Sequence, residues 1–134
     1  MLVDVTDLAG DYPNTSYATS RTFLKKNPEV VKRFFMAMAM AVHEFKRNPE
    51  LGIKLTQEFL KVKEAPLAKA AYEGYVKVYP DDLRPSLPGI GLVLAELAKH
   101  DAKAGKLKPE DLVDTSVLDA LAREGFFARL AETH

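Results

Sequence analysis

Between Asn27 and Arg47 the chain reads Asn-Pro-Glu-Val-Val-Lys-Arg-Phe-Phe-Met-Ala-Met-Ala-Met-Ala-Val-His-Glu-Phe-Lys-Arg, and no other stretch limits the fold as strongly. Asn27 can cap a helix through its side-chain oxygen. Pro28 suits the first helical position, where its missing N–H would have no intrahelical partner, and Glu29 favours the positive end of the helix dipole. Val31, Phe34, Phe35, Met38, Ala41, Val42 and Phe45 recur at helical spacing, while Met36 and Met40 widen the apolar surface beyond one stripe. Such a helix needs partners on two sides. Spacing alone describes a buried helix and no chemistry.

Around that helix there is material for one domain: the chain has 134 residues, 47% hydrophobic and 28% charged, as in an ordinary globular class. Nineteen basic residues balance nineteen acidic ones, so no net field draws the chain to nucleic acid or an anionic membrane. The absence of cysteine excludes disulfides, thiolate metal sites and cysteine nucleophiles. No apolar run approaches the roughly 18 residues of a membrane-spanning helix. The start, Met-Leu-Val-Asp-Val-Thr-Asp, lacks the basic and apolar regions of a secretory signal.

Residues 1–26 differ in character from residues 27–134. Gly10, Pro13 and Asn14 are turn formers, and the mixture from Thr15 to Phe23 favours β structure, so a strand is expected across about Ser16–Thr22. A lone strand cannot satisfy its own backbone, which requires pairing with the weaker Leu2–Val5 segment, with another sheet or with a second chain.

Beyond Arg47 the pattern is helical. A second Asn-Pro-Glu at Asn48 opens a helix through about Leu60, and Pro66 opens another in which Leu67, Ala70, Ala71, Tyr75 and Val78 form the core face. Tyr72, Tyr75 and Tyr79 share one side of it, an arrangement able to stack on a flat ligand but more often found at a core edge. Pro88 to about Lys103 reads as a fourth helix, Lys108 to Leu112 as a helical turn, and Asp114 as the cap of a last helix closed by Gly125. Phe126, Phe127 and Leu130 make an apolar tail suited to docking. Gly89-Ile90-Gly91 has neither the preceding strand nor the third glycine of a phosphate loop.

Candidate chemistry is sparse. His43, His100 and His134 are far apart and have no metal-ligand spacing, so neither a metal nor a cofactor is expected. Ser16, His43 and Asp114 supply a triad only on paper, a set that chance provides in most chains. Asp81-Asp82 and Glu110-Asp111 fit turn and capping roles. One polar cluster has no capping duty: Tyr12, Asn14, Thr15 and Ser16, in a loop entering the expected strand, where they can hydrogen-bond a small ligand or simply shape a turn.

Taken in order, Tyr17-Ala-Thr-Ser-Arg-Thr-Phe-Leu24, Asn27-Pro-Glu-Val-Val-Lys-Arg-Phe-Phe35, Ala37 to Phe45, Asn48-Pro-Glu50, Gly105-Lys-Leu107 and Asp111-Leu-Val-Asp114 with Leu118 carry a resemblance. The chain resembles the C-terminal portion of ABC-transporter solute-binding proteins of the nitrate, sulfonate, taurine and thiamine-precursor group. The resemblance implies a mainly α chain of about five helices with one or two N-terminal β-strands, a fragment of the two-lobed α/β fold of type II periplasmic binding proteins. It further implies a small organic or inorganic solute, an extracytoplasmic location, a membrane permease as partner of the full-length protein, and no enzymatic role. Tyr12, Asn14, Thr15 and Ser16 are the matched positions nearest the family's ligand cleft. A pyrimidine-synthase activity, also found on that fold, would need a histidine at the cleft, and His43 inside a helix is a poor candidate. With an upstream lobe expected but not included, the strand and the apolar face of the 28–47 helix are left to pair with other copies, making a homo-oligomer. The runner-up is a helical interaction module with no small-molecule ligand.

Overall fold

The computed structural model describes residues 12, 13 and 15–133, and among these every regular element is helical. The helices are α1 (Arg21–Lys26), α2 (Pro28–Arg47), α3 (Pro49–Leu60), α4 (Ala65–Val78), α5 (Leu87–Ala98), α6 (Pro109–Leu112), α7 (Ser116–Arg123) and α8 (Phe126–Glu132), with a single 3-10 turn at Ala104–Lys106. They fall into two units. One combines the described part of Met1–Phe23 with Pro85–Thr115, and the other combines Leu24–Arg84 with Ser116–His134.

The α/β expectation, with one or two N-terminal strands, is overturned. Residues 15–20 have no regular structure, and Arg21 and Thr22, placed in a strand by their β-favouring neighbours, begin α1. The physical reason is local. Ser20 Oγ accepts a hydrogen bond from the Phe23 N–H at 3.0 Å, a helix-start contact, whereas a strand would need a partner to satisfy its backbone. β-propensity describes fit to a sheet surface and decides little where no sheet is present. The Leu2–Val5 segment lies outside the described residues.

In the larger unit, α2 is the long central element. Proline stands at the N-terminal turn of α2, α3 and α4, where a lost N–H costs nothing. The two Asn-Pro-Glu starts differ in detail. Asn48 Oδ1 accepts from the Leu51 N–H at 3.1 Å, a true side-chain cap, while Asn27 makes no such cap and accepts at its carbonyl from Val30 and Val31. Val31, Ala39 and Val42 of α2 are buried where α3, α7 and α8 pack against the helix. Leu118 and Leu121 answer from α7, and Leu121, fully buried, contributes about 2 kcal/mol of apolar transfer.

The α3–α4 hairpin is fixed by one close approach. Gly52 is buried against the Tyr72 ring, and a methyl group added there would lie 2.2 Å from Tyr72 Cε2. Tyr72 packs 5.0 Å from the Phe45 ring and donates its hydroxyl to the Lys46 carbonyl at 3.1 Å, satisfying one of the C-terminal carbonyls of α2. The apolar C-terminal tail forms a helix of its own. Gly125 adopts φ +70°, the chain reverses, and Phe126, Phe127 and Leu130 lie half-buried on α8. Helix α7 starts at Ser116, so Thr115 occupies the flanking position that the sequence assigns to Asp114.

In the smaller unit, Ser86 Oγ caps α5 by accepting from the Gly89 N–H at 3.0 Å. Helix α5 ends at Ala98, well before Lys103, and the following 3-10 turn and α6 fold back on it around Leu94 and Ala104. Gly89 is buried in the α5 start. No helix among the described residues is long and apolar enough to cross a membrane.

Candidate functional site

The last turn of α2 places His43, Lys46 and Arg47 on successive edges of the helix end, and the segment after α4 brings Asp81 and Asp82 beside them. Helix α8 closes the other wall with Phe127, Leu130 and Ala131. Together they line a cleft of about 390 Å³, within the larger unit and of the size that holds a small solute.

The charges in the cleft are partly engaged. Lys46 Nζ is 2.6 Å from Asp81 Oδ1, with the lysine mostly covered and the aspartate mostly exposed. Asp82 is tied to Arg84, whose Nε is 3.3 Å from Asp82 Oδ2 and whose Nη2 reaches Asp119 Oδ1 of α7 at 2.7 Å. Arg47 Nη1 donates to the Thr133 carbonyl beyond α8 and lies 3.4 Å from His43 Nε2. A guanidinium has five N–H donors in a planar fork, and the described contacts of Arg47 engage only its Nη1. Two cations and two carboxylates line the cleft, Arg47 is the lining cation with no carboxylate partner among the described residues, and Phe127 and Leu130 give an apolar wall. No hydroxyl or thiol side chain is among its described lining residues.

The polar cluster expected to bind a ligand is placed elsewhere. Tyr12, Thr15 and Ser16 are exposed in the smaller unit, Asn14 lies outside the described residues, and none of the three described lines a described cleft. A hollow of about 210 Å³ in that unit is walled by Leu94, Ala98, Ala104, Leu107 and Pro109, with no polar side chain among its described lining residues. Tyr75 and Tyr79 stack with ring centroids 6.0 Å apart, and Tyr79 also meets Phe45 at 6.4 Å, so two of the three tyrosines form a core-edge ladder while Tyr72 is buried. His43 belongs to the larger unit, Ser16 and Asp114 to the smaller one, and His100 is exposed after α5. His134 is not among the described residues, and within those no group of three or more histidine or acidic side chains is arranged to hold a metal.

Sequence reasoning missed the cleft because its three walls come from residues 43–47, 81–82 and 127–131. The one signal in the chain was a cationic helix end, which reads as ordinary dipole compensation. No family model matches the chain, and neither the curated proteins nor the solved structures contain a match.

Proposed function

We propose that this chain is the C-terminal part of a solute-binding component of an ABC uptake transporter, working outside the cytoplasm with a membrane permease and taking a small solute such as a sulfonate, nitrate or pyrimidine precursor. The observation that carries the reading is the consecutive pair of Asn-Pro-Glu helix starts, with α2 and α3 beginning at Pro28 and Pro49 in the order and spacing of the motif. The cleft at His43, Lys46 and Arg47 adds chemistry of the right kind, because a planar guanidinium pairs well with nitrate or sulfonate oxygens.

Isothermal titration with nitrate, a short aliphatic sulfonate and an aminopyrimidine tests it. Binding of one of the two anions is expected, weakened at least about tenfold by Arg47→Ala, the loss of a charge-assisted contact. Absence of heat from all three sinks the solute reading and leaves a helical interaction module. A specific feature favours that second reading: the α3–α4 hairpin leaves Phe59 82% exposed, with Leu55, Leu60 and Leu67 exposed nearby.

A further inference from the structure

The outer side of α2 is apolar where a solvent-facing helix side would be polar, and its charges are ordered in a self-matching way. With 3.6 residues per turn, Val31 and Val42 point inward, Arg33, Ala37, Met40 and Glu44 fall on the opposite side, Phe34 and Ala41 lie at its edge, and all six are exposed. Arg33 and Glu44 lie along one flank of this side, Phe34 and Ala41 along the other, and Ala37 sits between them.

An isologous contact requires that a patch complement itself: if one residue meets a second on the partner, the second must meet the first. An antiparallel copy of α2, related by a two-fold axis crossing near Met38, meets that condition twice. Arg33 and Glu44 are equidistant from the axis within about one residue, as are Phe34 and Ala41, so each pair closes across the axis on its own flank. One flank then has two opposite-charge pairs and the other two large-into-small contacts, with Ala37 permitting close approach at the centre. A parallel pair, whose two-fold runs along the helices, would set the Arg33–Glu44 flank of one copy against the Phe34–Ala41 flank of the other and make neither charge pair. Among the described residues Arg33 makes no ion pair and the Glu44 carboxylate accepts only a 3.3 Å hydrogen bond from the Asn48 side chain, so both charges are available.

We infer that the outer face of α2 is a docking surface for a second copy of this chain, paired antiparallel through Arg33–Glu44 contacts. This does not depend on the solute-binding reading, since the cleft lies on other residues. A single helix pair about 30 Å long and about 10 Å wide covers on the order of 300 Å² per copy, well below the ~800 Å² of a standard interface. The dimer is therefore weak, with a dissociation constant on the order of 10–100 μM.

Sedimentation equilibrium of the whole chain across that range, at low salt, reads the constant directly. Arg33→Glu and Glu44→Arg, each alone, weaken association at least about fivefold by placing like charges together, and the two combined restore it to within about twofold. Far-UV circular dichroism verifies that the exposed substitutions leave the helices intact. A chain that is monomeric throughout overturns the proposal. So does a dimer whose constant ignores both single substitutions, which places the contact on another face, and so does a double variant no stronger than the singles.

Discussion

Gly52 and Gly74 sit on the same helical hairpin and respond oppositely to a methyl group. At Gly52 an added Cβ meets the buried, hydrogen-bonded Tyr72 ring at 2.2 Å and the Phe45 carbonyl at 2.9 Å, neither of which yields cheaply. Overpacking of that kind costs about 2–3 kcal/mol, and the helix propensity of alanine returns about 1 kcal/mol. Gly52→Ala is expected to destabilise the fold by about 1–2 kcal/mol. At Gly74 nothing lies within 4 Å, so only the propensity gain operates, and Gly74→Ala is expected to stabilise by about 0.5–1 kcal/mol. Urea unfolding of the two variants checks the contrast, and equal shifts in the same direction would contradict the packing at Tyr72. Neither sign is legible in the sequence. Both glycines interrupt helical patterns in the same way, and only the tertiary approach of Tyr72 tells them apart.

Helix boundaries were the most legible part of the chain, because proline and capping residues act locally. Pro28, Pro49 and Pro66 stand within the first turn of the helices they were expected to open. The two asparagines preceding α2 and α3 were indistinguishable in sequence, yet only the Asn48 side chain caps its helix. Asn48→Ala is therefore expected to cost about 1 kcal/mol, and Asn48→Asp, which keeps the accepting oxygen, to cost less than half of that. Unfolding in denaturant measures both, and an aspartate variant as weak as the alanine one would contradict the cap. The strand at Ser16–Thr22 failed for a related reason. Its β-favouring residues had no sheet to fit, and a serine one position ahead of Arg21 offered a helix start that the mixture of β-formers concealed.

For the whole molecule, composition and periodicity specified a helical chain but not what its surfaces meet. The cleft at His43, Lys46 and Arg47 joins three distant segments, so no spacing rule reveals it. The breadth of the apolar face on α2 was visible from the methionines and phenylalanines, whereas its division into a buried side at Val31 and Val42 and an exposed side at Phe34, Met40 and Ala41 needed the packing of α3, α7 and α8. That exposed side is where the molecule is expected to meet its own copy. The chain contains no cysteine, so Glu29→Cys gives a single nitroxide attachment point on the rim of the face. In an antiparallel dimer centred near Met38, the two labels are about 28 Å apart, from 1.5 Å per residue along each helix and an interaxial distance of about 9 Å. Pulsed dipolar spectroscopy above the dissociation constant reads that separation directly. A distance distribution centred between about 20 and 35 Å is the result expected, and a separation near 10 Å, as in a parallel pair, or no dipolar signal at all would contradict it.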